Sequence, residues 1–174
     1  MTALPDLAPA DAAVALRSLP RRFREARARS AGGSTPAGSV PDEATEPTPD
    51  AIETRAQQLG PDGTSPLEQV AATTAELALF HQATTAVLSG SATPVHPAVA
   101  DRASRAWDLP PGLTVDDAIT LLEDEAIGFA SLVESADARE WAKSGPVAGG
   151  GTISAITLVS EAVRSAVDRL RSID

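Results

Sequence analysis

The chain contains no cysteine and no tyrosine, and only two histidines, His81 and His96. Without cysteine there is no disulfide framework, no thiolate metal ligand and no cysteine nucleophile. The aromatic residues are Phe23, Phe80, Phe129, Trp107 and Trp141. A core so short of rings has to be filled by small and aliphatic side chains. Alanine, abundant here, is the strongest helix former, and small side chains let helices approach closely. No run of about 18 apolar residues occurs, so no membrane span is expected. Met1 to Ala15 holds no basic residue and no long apolar stretch, which is unlike a secretory signal, and a cytoplasmic location is the expectation. Basic residues are outnumbered, 14 Lys and Arg against 24 Asp and Glu, for a net charge of -10. Such a chain is repelled by phosphate backbones and anionic membranes, so neither nucleic acid nor membrane is an expected partner.

What is present is helical periodicity. The 174 residues, 43% of them apolar, suffice for one domain with a real core. Residues 1–9 read as an extended arm. Helix one is expected over 10–29, through Ala12, Leu16, Leu19, Phe23 and Ala26, with a kink or break at Pro20. Residues 30–50 are rich in Gly, Pro, Ser, Thr and acids and read as a flexible linker. Ala51 to Leu59 can form a short helix. Helix two, over 65–89, opens with Ser65-Pro66-Leu67-Glu68: a capping serine, a proline at the first helical position and a glutamate closing the box. It is apolar on two sides and so reads as buried between neighbours. A short helix is expected within Pro97 to Trp107. Helix three, over 114–136, carries Val115, Ile119, Leu122, Ala126, Phe129 and Val133 at alternating four- and three-residue steps, a bundle seam. A glycine loop then leads to helix four, over 152–172, with Thr152 as its cap. Ile156, Val159, Val163, Ala166, Leu170 and Ile173 form its apolar stripe. No strand is expected. Four long helices with apolar seams make an all-α four-helix bundle.

The capping box, the helix-three seam, the glycine loop and the run from Thr152 to Ile173 resemble the DinB-like superfamily, as does the early Leu16-Arg17-Ser18-Leu19-Pro20-Arg21-Arg22-Phe23. That superfamily includes metal-dependent bacillithiol and mycothiol S-transferases and maleylpyruvate isomerase N-terminal domains. The resemblance implies a four-helix bundle whose members typically hold a divalent metal with three histidines, one near the start of helix two and a His-x-x-x-His pair on the last helix. Histidines four apart share a helix face, and a third from a facing helix completes an open triad. Here Ala72 stands at the helix-two position, and Arg164 and Asp168 stand at the pair. Alanine cannot ligate and arginine brings a fixed positive charge. The resemblance therefore implies a lost metal site, with no metal and no cofactor.

Several residues are candidates for function, each beside a plainer reading. Arg164 and Asp168 either fill the vacated pocket and bind a polar or anionic ligand, or form a solvated helix pair. Glu76, on an apolar helix, is either a buried general base or partner of Arg164, or a helix-edge acid. His81, beside Phe80, is a candidate base or a core-edge histidine. His96 reads as a loop residue. Arg17, Arg21, Arg22, Arg24, Arg27 and Arg29 form either an anion-binding patch or a solvated basic face, with Asp42, Glu43, Glu46 and Asp50 nearby to neutralise it. Gly149-Gly150-Gly151-Thr152 lacks the spacing and lysine of a phosphate-binding loop and reads as a flexible connection. Trp107 with Arg105, and Trp141, either line the mouth of a pocket or anchor the connections. The catalytic candidates are Glu76, His81 and Asp168; the ligand-binding candidates are Arg164, Asp168 and Glu76.

Three functions fit these residues. The first is metal-independent binding or transformation of a small molecule between helices two, three and four. The second is a non-catalytic interaction module, with a homodimer as one form. The third is a divergent metal-dependent thiol S-transferase with rearranged ligands.

Overall fold

The computed structural model describes residues 7–32, 53–54, 56–59, 63–105 and 107–173. Four long helices carry the fold. α1 spans Pro9–Gly32, α2 Pro66–Leu88 and α3 Val115–Ser135. A short α4 (Ala138–Trp141) and two strands, β1 (Ser144–Pro146) and β2 (Thr152–Ser154), lead into α5, Ala155–Ile173. α1 packs mainly on α3 and α5, and α2 packs mainly on the same two. α1 and α2 therefore stand at opposite corners of a square bundle. Among the described residues no helix is long and apolar enough to cross a membrane.

The seams explain the packing. All six expected α3 residues, Val115, Ile119, Leu122, Ala126, Phe129 and Val133, are buried, as are Ala12, Leu16, Leu19, Phe23 and Ala26 of α1. Phe23, Phe80 and Phe129 are the largest fully buried side chains, each worth about 1.5–3 kcal/mol by removal from water. α2 starts where its capping box predicts: Ser65 Oγ accepts from Glu68 N at 3.2 Å, and Glu68 Oε2 accepts from Ser65 N at 2.6 Å.

Several details depart from the sequence pattern. α1 continues through Pro20 instead of breaking. Leu16 and Leu19 before the proline and Phe23 and Ala26 after it enter one core, and that burial offsets the lost backbone hydrogen bond. Helix one also runs on to Gly32; the remainder of the expected linker, and its acids, lie outside the described residues. So does most of the extended arm, and of the expected Ala51–Leu59 helix only residues 53, 54 and 56 are described as helical. Pro97 to Trp107 forms two 3-10 turns, Pro97–Val99 and Arg102–Ser104, in place of a helix.

The expected glycine loop is the turn of an antiparallel hairpin that pairs Ser144 with Ser154 and Pro146 with Thr152. Gly149, Gly150 and Gly151 all have positive φ, at 95°, 118° and 85°, a conformation that costs only glycine little. Thr152 consequently lies in β2. The cap of α5 is Ser154, whose Oγ accepts from Thr157 N at 3.1 Å.

Candidate functional site

At the α2–α5 contact a carboxylate is sunk into the core. Glu76 is only 2% exposed. Its Oε1 accepts from Arg105 Nη1, and its Oε2 accepts from Arg169 Nε at 3.0 Å. Burying a lone carboxylate is prohibitive, so the two guanidiniums are what allow it to sit there. Burial pushes the Glu76 carboxyl up, but the Ser165 hydroxyl, the hydrogen bond and charge of Arg169 and the charge of Arg105 outweigh it and hold the group below its ordinary range. With both oxygens engaged and its pKa lowered, Glu76 is a weak general base and a good anchor for two cations.

The two arginines differ. All three guanidinium nitrogens of Arg105 are engaged. Its Nε donates to Ala98 O at 2.6 Å, its Nη2 donates to Val99 O at 3.0 Å, and its guanidinium lies 4.9 Å from the Phe80 ring centroid. It pins the irregular 94–105 connection to α2. Arg169 is 19% exposed. Beyond Glu76 it makes only a long contact, Nη1 to Gln69 Oε1 at 3.5 Å, so its Nη2 donors are unspent. One carboxylate shared by two guanidiniums leaves the cluster one positive charge in excess.

Arg169 forms one wall of a cleft of about 190 Å³. Gln69 and Ala72 of α2 line it too, together with Thr64, Glu68, Ala71 and the Trp107-Asp108-Leu109 segment. The Trp107 indole nitrogen is buried and has no acceptor. An unmet buried donor costs about 1–3 kcal/mol, which an acceptor could recover.

The structure separates the sequence candidates. Glu76 is the centre of the cluster, but its partners are Arg105 and Arg169, and not Arg164. The reason is one residue of helical register. Arg169 is the α5 residue that bonds Glu76, with buried Ser165 one turn before it on the same face, whereas Arg164 and Asp168 sit beside them. Arg164 bonds Glu161, and Asp168 pairs with Arg102 at 3.3 Å and Arg171 at 3.5 Å. Neither lines the cleft. His81 does not line it either. Its Nδ1 meets Glu125 Oε1 at 2.6 Å and its ring stacks on Phe129 at 5.1 Å, joining α2 to α3. His96 caps the first 3-10 turn, accepting from Ala98 N at 3.2 Å. Trp141 anchors α4, its indole donating to Ala136 O at 3.2 Å. Arg17, Arg24 and Arg27 pair with Glu134, Glu123 and Asp116 of α3, so acids of a neighbouring helix neutralise much of that basic face.

Arg169 was not singled out by sequence, although a signal exists. Ala155, Leu158, Ala162, Ser165 and Arg169 follow steps of three and four residues, and the first four are buried. This is a second apolar stripe on α5, and it ends in a charge. Arg105 stands in an irregular segment where no periodicity could place it.

Among the described residues, no three or more of His, Cys, Asp and Glu come together where they could hold a metal ion. No family model matches the chain, and no curated protein matches it in sequence. Among solved structures it is similar to YfiT from Bacillus subtilis, described as a probable metal-dependent hydrolase with an unusual four-helix bundle topology. The TM-score is 0.61, over 99% of this chain and 91% of that one, at 11% identity. At that identity the likeness establishes the fold, a four-helix bundle, and agrees with the DinB-like resemblance at the level of architecture.

Proposed function

We propose that this chain is a DinB-like bundle without the metal triad, and that it binds a small anionic molecule through Arg169 in the α2–α5 cleft without a metal or other cofactor. The observation that carries this is Arg169: it is anchored by buried Glu76, keeps donors unspent and forms a wall of the cleft. Guanidinium presents a planar fork that matches a carboxylate or phosphate group. Any transformation in such a site would come from orientation and charge stabilisation. Nucleic acid and membranes are not among the partners of this reading, and a cytoplasmic location belongs to it.

Two measurements test it. Metal analysis after dialysis is expected to find no stoichiometric zinc, nickel, iron or manganese; finding one would favour the alternative of a divergent metal-dependent transferase or hydrolase. Calorimetric titration of chelator-treated protein with small carboxylates is expected to give binding that Arg169→Lys weakens at least about tenfold, since lysine keeps the charge and loses the fork. Unchanged affinity in that variant would refute the assignment. A second reading, an interaction module or homodimer, draws on the exposed apolar side chains Val14, Leu121 and Ile127. Sedimentation equilibrium distinguishes it: a concentration-dependent dimer abolished by Leu121→Lys would support it.

A further inference from the structure

The charges around the cleft narrow the ligand class. Arg169 offers unspent Nη2 donors, and its Nη1 contact to Gln69 is long at 3.5 Å, so that edge of the guanidinium can turn to a carboxylate in a two-point fork. The buried Trp107 indole N–H, also without an acceptor, belongs to the same lining. Both features call for an acceptor-rich, negatively charged group.

Two acids share the lining. Glu68 uses one oxygen, Oε2, in the helix cap, accepting from Ser65 N at 2.6 Å. Asp108 is exposed and makes no hydrogen bond or ion pair with the described residues. A simple anion entering the cleft gains Arg169 and meets Asp108 as a like charge. A simple cation gains Asp108 and meets the excess positive charge of the arginine cluster. A molecule carrying both charges satisfies each wall and is repelled by neither. The volume, about 190 Å³, lies below the roughly 300–1,000 Å³ of pockets for drug-sized ligands, so the occupant is small.

We infer that the cleft takes a small zwitterion, an α-amino acid or the amino-acid end of a larger molecule, with its carboxylate on Arg169 and its ammonium on Asp108. This rests on the anion-binding reading of the cleft, and it adds a cationic half to the ligand.

The test uses the full chain and three matched probes: L-leucine, L-leucinamide, which lacks the carboxylate, and N-acetyl-L-leucine, which lacks the ammonium. Calorimetry is expected to rank L-leucine at least about tenfold tighter than either analogue, an amount typical of one lost charge contact in a partly desolvated site. Asp108→Asn, a change at an exposed residue without structural partners, is expected to remove the preference of L-leucine over its N-acetyl form. If N-acetyl-L-leucine binds as well as L-leucine, through Arg169 and regardless of Asp108→Asn, the zwitterion inference is overturned while the anion-binding function stands. If no probe binds at millimolar concentration, both fall.

Discussion

A carboxylate that is 2% exposed between two guanidiniums cannot be removed without stranding both cations. Glu76→Ala is accordingly expected to cost about 3–5 kcal/mol, the range for breaking a buried ion pair, as read from urea unfolding. Arg17→Ala, which breaks an exposed pair with Glu134, should barely move the same midpoint. The acid response follows from the direction of the Glu76 shift. Its folded pKa lies below the ordinary value of 4.5, so the folded state binds this proton less readily than the unfolded chain. The stability it contributes is fully present above that ordinary value and is lost as pH falls through the lower folded value. Glu76→Gln should therefore flatten the acid limb of a stability-against-pH curve below that pH. Glu76 was legible because an acid stood among apolar helical positions. Its partners were not: placing Arg169 over Arg164, five residues away, turns on about 140° of helical rotation, and reaching Arg105 requires knowing where an irregular segment folds back.

Elements were legible wherever caps and seams spoke together. The Ser65 box starts α2 and the 4-3-4-3-4 seam defines α3, because both encode local hydrogen bonding and a buried face. Ser65→Ala should lower stability by ~1 kcal/mol, the usual loss for an N-cap. The hairpin was invisible because strands of three residues, one carrying Gly145 and Pro146, offer no alternation to detect. Its fit is nonetheless close. A Cβ at Gly145 would stand 2.7 Å from Val87 Cγ2, so Gly145→Ala should cost about 1–3 kcal/mol through overpacking, seen as a lower melting temperature. Pro20 shows the converse case, in which a strong local breaker gives way to core burial on both sides of it.

At the scale of the molecule, an acidic chain places its arginines with care. Three on α1 meet acids on α3, while two others hold a buried carboxylate between α2 and α5. The bundle class was readable from periodicity because the long helices present separate apolar stripes. How the helices neighbour one another was not, since α1 and α2 are successive long helices yet occupy opposite corners. On the proposed metal-free reading the fold is held by apolar seams and an internal ion cluster, and excess chelator is expected to leave the melting temperature unchanged.

The central claim concerns Arg169, and its own side chain can report on it. In chelator-treated protein, NMR of the Arg169 Nε–Hε resonance during titration with a small α-amino acid should show a saturable shift, absent for Arg164. A resonance that stays fixed to saturation, while the ligand binds elsewhere or only after metal is restored, would contradict the account.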